Sequence, residues 1–298
     1  MWRAIPPLGR TVASTTSGPM PDDLFRHIAA CNNACLPGAR LRLWIGAAAV
    51  GWISPASAVE IASAAPQANC TDRGLALPDA ASFEAMAKAM ARRGYVRWRN
   101  EAFAVRAHPD GPELARLDRG ALPRLGVWSE GVHVNGLVRR SDGPWLWVAE
   151  RAADKALDPG KLDHLVAGGV PAGLSAVETL RKEAAEEATM PEALARQAVP
   201  VGRITYVMER PEGLRRDRLH CYDLWLPEDF APHPADGEVA GFSLWPMARV
   251  LKAVRETDAF KFNVNLVLID LFLRLGMVEE TGRDGRSLRA ALDAPFAA

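Results

Sequence analysis

Three glutamates, Glu183, Glu186 and Glu187, stand at i, i+3 and i+4 within GGVPAGLSAVETLRKEAAEEATM, residues 168–190. At about 100° per residue they occupy one arc of a helix surface, close enough to share a divalent cation. A glycine-rich stretch led by Gly168 and Gly169 runs straight into that helix. Hard carboxylate oxygens suit Mg²⁺ or Mn²⁺, which retain water and bridge to phosphate oxygens. The chemistry this predicts is attack of water on a diphosphate, where clustered negative charge must be neutralised and the nucleophile made more basic. A solvated helix face would present the same three carboxylates, so the flanking sequence decides between the readings.

The stretch resembles the Nudix box, whose pattern is Gly, five residues, Glu, seven residues, then Arg-Glu-apolar-x-Glu-Glu-x-Gly-apolar. Aligned from the helix, Lys182 takes the arginine position, Glu183, Glu186 and Glu187 match the helix glutamates, and Met190 keeps the final apolar position. Leu174 stands where the first glutamate belongs, Thr189 replaces glycine, and the loop is one residue short. The Glu178 to Lys182 pair, in the favourable order, is expected to brace the helix instead.

These departures resemble one Nudix subgroup, related to the Nudix domain attached to fungal thiamine pyrophosphokinase-like proteins. Its pattern reappears as Gly160-Lys161-Leu162-Asp163, the variant box, Asp236-Gly237-Glu238-Val239 and the run from Phe260 to Asp270, FKFNVNLVLID. The earlier segment YVRWRNEAFAV resembles the companion domain that precedes this Nudix domain. The resemblance implies an α/β (α+β) fold: a Nudix α/β/α sandwich around a mixed sheet, preceded by a small α+β domain. It further implies a metal-dependent hydrolase that takes thiamine diphosphate, or oxidised analogues, to the monophosphate. An 8-oxo-guanine nucleotide diphosphatase and a catalytically weak Nudix-fold binding module are the alternatives. Catalytic roles fall to Glu183, Glu187 and Glu238, metal binding to Glu183, Glu186 and Glu187, and substrate or phosphate contact to Gly168, Gly169, Lys161 and Arg215. Arg215, Arg216 and Arg218 are expected on a basic loop, residues 210–218, that is either simply exposed to solvent or meets an anionic substrate. His133, His164 and His220 have no spacing that announces a metal site or a triad.

The remaining composition narrows the partners. Lysine plus arginine and aspartate plus glutamate both number 36, so no global field steers the chain toward nucleic acid or an anionic membrane. A small-molecule diphosphate is the expected partner, with no nucleic acid polymer and no membrane, for a monomer or homodimer. The four cysteines, Cys31, Cys35, Cys70 and Cys221, are too scattered for a disulfide scaffold and suggest a reducing compartment. A cytoplasmic location is expected; residues 1–19, with Arg3 and Arg10 and no acid before Asp22, offer organelle targeting as the alternative.

Hydrophobic periodicity supplies the frame. Helices are expected at 21–34, 55–64, 79–93, 246–254 and 263–275, and hairpins at 40–54, 131–151 and within YVRWRNEAFAVRA, turning at Asn100-Glu101. A strand at 161–167 feeds Gly168, and strands at 201–209 and 219–226 flank the basic loop. The expected units are a disordered extension at 1–19, the companion domain at 20–122, the Nudix domain at 123–280 and a frayed tail at 281–298.

Overall fold

The computed structural model describes residues 21–71, 74–235 and 237–294. The expected extension at 1–19 and Asp236 lie outside the described residues.

The chain opens with a short 3₁₀ turn, Pro21–Leu24, and α1, Phe25–Cys31. Strands β1, Leu41–Ile45, and β2, Ala48–Ile53, form the expected hairpin. Helix α2, Pro55–Ala64, starts where the Ser54 side chain accepts from Ser57 N and proline occupies the first turn. Strands β3, Asn69–Thr71, and β4, Gly74–Leu77, complete a four-stranded sheet in the order β2-β1-β4-β3. Helix α3, Ala80–Arg92, is capped by Asp79 and buries Phe83, Met86 and Met90 against that sheet. These apolar positions recur at helical spacing, which is why this element was readable.

The hairpin expected around Asn100 does not form. Strand β5, Ala102–Val105, pairs instead with β6, Ala115–Asp118, and residues 95–100 run irregularly, with Asn100 at φ 60°. Buried Asp118 explains this. Its carboxylate accepts from the backbone N–H groups of Arg99 at 2.8 Å, Glu101 at 3.2 Å and Gly120 at 2.9 Å. Donors satisfied in this way need no ladder.

After a 3₁₀ turn at Arg119–Ala121 and α4, Leu122–Leu125, the chain enters β7, Trp128–Arg140, and β8, Gly143–Arg151. The strand expected at 161–167 divides into β9, Leu162–Asp163, on β8 and β10, Val166–Gly169, on β7. Helix α5, Ala176–Ala188, carries the three glutamates, and α6, Glu192–Ala195, follows. Strands β11, Val199–Arg210, and β12, Gly213–Leu226, form one long hairpin. Strand β13, Val239–Pro246, helix α7, Met247–Glu256, helix α8, Val264–Arg274, and helix α9, Leu288–Leu292, complete the chain.

The large sheet runs β11-β12-β7-β8-β13, with β12 parallel to β7 and the other pairs antiparallel. Residues alternate across it. Val132, Val134, Val166, Tyr222 and Leu224 join a core with Leu180 and Ala184 of α5, while Leu137, Leu219 and Cys221 join one with α1, α7, α8 and α9. The result is a mixed α/β fold with helices on both faces of a mixed sheet.

Two expectations about the ends change. Leu24, Phe25, Ile28 and Cys31 pack into the α7/α8 core of the large sheet, so α1 departs from the unit expected at 20–122. The tail expected to fray carries α9, whose Leu288 and Leu292 are buried in that core and whose Arg289 pairs with Asp270 at 2.7 Å. Cys31 and Cys221 are buried thiols, Cys35 and Cys70 exposed ones, all free.

Candidate active site

The site grows from the β10 to α5 transition. Helix α5 begins with a capping box in which Ser175 accepts from Glu178 N and Glu178 accepts from Ser175 N. Glu178 is thus committed to the cap. The brace expected between Glu178 and Lys182 is replaced by Lys182 reaching Glu183 at 3.2 Å and Glu186 at 2.6 Å. At the other end Thr189 takes the left-handed conformation, φ 50°, that the box reserves for glycine, and its hydroxyl donates to His233 O at 2.8 Å.

The glutamates and glycines meet. Glu187 is buried, and its Oε2 accepts from Ala167 N of β10 at 2.9 Å. A Cβ added to Gly168 would stand 2.5 Å from the Glu183 carboxyl carbon, so glycine is needed for helix and strand to approach this closely. Burial pushes the Glu183 carboxyl above its ordinary range, with Lys182 opposing and Glu186 and Glu101 adding to the rise. Glu186 faces outward. Each is a hard oxygen donor of the kind Mg²⁺ or Mn²⁺ takes, but among the described residues their ligand atoms do not converge within 4.8 Å, since Glu186 is turned out onto Lys182.

On the opposite side of β10, a cavity of about 900 Å³ opens between the N-terminal unit and the large sheet. Gly168 and Gly169 line it, and Phe103 of β5 fills the space where a Gly169 Cβ would fall, 2.5 Å from the ring edge. Ala172 N also donates to Ala102 O at 2.8 Å, tying the glycine loop to the N-terminal unit.

The other expected residues divide. Glu238 lines the cavity and is ion-paired with Lys155; burial alone would raise its carboxyl, but Lys155 holds it below the ordinary range. Lys161 is not brought in, because its ammonium donates to Asp258 O and it is absent from the cavity wall. The basic loop is corrected to strand: Arg215, Arg216 and Arg218 all lie within β12. Arg215 does line the cavity, yet its guanidinium is buried on Asp217 at 3.0 Å, which outweighs burial and holds it firmly protonated. Arg216 stacks over Trp128, 4.3 Å from the ring centroid, and Arg218 pairs with Asp110 at 2.6 Å. All three are held by neighbours that their spacing in sequence did not reveal, while Arg215 and Arg216 also line the cavity.

Sequence reading missed two groups. Glu130 lines the cavity and holds His220 Nε2 at 2.6 Å, ninety residues away along the chain. His133, which lines the cavity, clusters with Asp163 and His164, their ligand atoms within 4.8 Å and the two Nδ1 atoms 2.9 Å apart. Arg151 at 2.8 Å and Lys261 at 3.4 Å already share the Asp163 carboxylate, so a further cation would meet two positive charges there. Burial pushes the His164 imidazole down to about 4 and that of His133 well below its usual value.

Residues 130–264 match the family profile described as NUDIX domain. The match takes in β7 through the start of α8. The chain is 43% identical over 180 residues to Nudix hydrolase 20, chloroplastic, from Arabidopsis thaliana, covering 60% of this chain and 48% of the relative. It is equally identical, 43% over 180 residues, to Nudix hydrolase 24, chloroplastic, of the same plant, covering 60% and 49%. The chain thus spans about half the length of these curated relatives. A crystallised protein from Deinococcus radiodurans is 23% identical with a TM-score of 0.44, covering 58% of this chain and 98% of its own. Both plant Nudix relatives are chloroplastic by name, which overturns the expected cytoplasmic location. Among the described residues no helix is long and apolar enough to cross a membrane.

Proposed function

We propose that the protein is a metal-dependent Nudix hydrolase that cleaves a diphosphate linkage, with thiamine diphosphate or its oxidised analogues as substrate and the monophosphate and phosphate as products. The observation that carries the reaction is the seating of α5 on β10, with Glu187 bonded to Ala167 N at 2.9 Å and Glu183 pressed over Gly168. Glu183, Glu186 and Glu187 would hold Mg²⁺ or Mn²⁺, which when bound supplies charge neutralisation for the diphosphate and a more acidic water. Glu183, half-buried and with a raised affinity for protons, stands ready to accept a proton from water. The glycine strand lets phosphate oxygens approach the backbone without a side chain in the way.

The identity of the organic half rests on the resemblance of the GKLD, DGEV and FKFNVNLVLID segments to the thiamine-related subgroup. The N-terminal unit, forming one wall of the cavity with Phe103 and Arg119, is suited to select that half. A competition assay between thiamine-type and 8-oxo-guanine nucleoside diphosphates, followed by phosphate release from one preparation, tests the choice. Preference for the guanine set would transfer the function to oxidised nucleotides; binding without release of phosphate from any of them would support a binding module.

A further inference from the structure

Arg119 belongs to the N-terminal unit, yet it faces the chemistry of the Nudix domain. It opens the 3₁₀ turn after β6, where its backbone N–H donates to Glu101 O at 2.8 Å. Its Nη1 donates to the Glu101 carboxylate at 2.9 Å, and its guanidinium carbon lies 6.0 Å from the centre of the Phe103 ring. Phe103 is the residue packed on Gly169, so Arg119 is mounted directly beside the glycine strand.

The mount is rigid where it needs to be. Asp118 fixes the backbone of Arg99, Glu101 and Gly120, and Ala102 O is bonded to Ala172 N of the glycine loop. Glu101 immediately precedes β5 and Phe103 lies on it, and both line the cavity. Glu101, which lines the cavity, bears electrostatically on Glu183, and Arg119 bears on Glu238 across the cavity lining. Arg119 therefore shares one cavity with Gly168, Gly169 and Glu238.

The side chain remains half exposed and lines the cavity. Only Nη1 has a hydrogen-bond partner among the described residues. Nε and Nη2 retain donors in the fork geometry that matches a phosphoryl group. Arg215, the residue the sequence nominated for this task, is consumed by Asp217.

We propose that Arg119 is an anion clamp, contributed by the N-terminal unit, that grips a phosphoryl oxygen of the diphosphate bound at the glycine strand, with Glu101 as its positioning residue. The clamp completes a site that neither unit holds alone. It relies on the diphosphate reading for the identity of the anion, and on the mounting of Arg119 for its position.

The test is calorimetric binding of methylenediphosphonate, whose P–C–P link cannot be hydrolysed, at fixed free Mg²⁺ to the full chain and its Arg119 variants. Arg119→Ala weakens binding at least tenfold, as loss of a charge-assisted hydrogen bond implies. Arg119→Lys restores part of that loss, because charge returns without the fork. The urea midpoint stays unchanged in both. Binding within twofold of the parent in Arg119→Ala overturns the clamp, as does a loss that appears only together with a lowered midpoint. If Arg119→Ala loses affinity while the parent hydrolyses no diphosphate, the clamp stands and the hydrolytic reading falls.

Discussion

Gly168→Ala is the substitution that most sharply separates the site from the fold. The new Cβ would lie 2.5 Å from both Cγ and Cδ of Glu183 and 2.8 Å from Oε2. Carbon pairs settle near 3.5 Å, so the carboxylate must retreat by about 1 Å. The obstacle is the far end of a side chain, so folding changes little: overpacking costs about 1–3 kcal/mol, offset by the roughly 0.4–1 kcal/mol that alanine gains through the unfolded chain. Catalysis is less forgiving, since a misplacement of about 1 Å costs on the order of 100-fold. Initial rates of phosphate release at saturating Mg²⁺, paired with urea unfolding, read both quantities. A variant that keeps its rate within threefold of the parent would refute the claim that Glu183 must sit over Gly168.

Two further predictions concern the scaffold. Asp118→Ala leaves three backbone N–H groups without their acceptor and should lower stability by about 3 kcal/mol in urea unfolding; a change under about 1 kcal/mol would show that water replaces the carboxylate freely. His164, held down to about 4 by burial, stays neutral in the folded chain while the unfolded chain takes up a proton below about 6.5. The unfolded state then binds more protons, so stability falls as pH drops from about 6.5 toward 4 by up to a few kcal/mol, and His133 acts in the same direction. His164→Gln should flatten that fall; an unchanged slope of the urea midpoint with pH would contradict it.

The elements that could be read in advance are those with a single competing force. Helix α3 buries one apolar face, and the β7/β8 hairpin alternates between the two cores of the large sheet, so periodicity specifies both. Helix α5 and its junction with β10 were legible because the residue spacing and the glycines agreed. What could not be read depends on contacts far apart in sequence. Asp118 diverts residues 95–100 from a hairpin from about twenty positions away. The arginines of β12 look like a basic loop until Asp217, Trp128 and Asp110 are brought beside them. Glu130 and His220, and likewise His133 and His164, become neighbours only through strand pairing. Helix α1 reads as part of the N-terminal unit by position, yet its apolar face complements α7 and α8.

Glu187→Gln tests the central claim most directly. Glutamine keeps an oxygen for Ala167 N, so the tie between α5 and β10 survives while the negative charge is removed. Phosphate release from thiamine diphosphate and its oxidised analogues should be measured for parent and variant across a Mg²⁺ and Mn²⁺ titration. The parent is expected to turn over with metal and to stop on chelation. The variant should fold normally, need more metal and lose at least roughly 100-fold in turnover. Equal turnover in a folded variant would contradict the metal role assigned to the α5 glutamates.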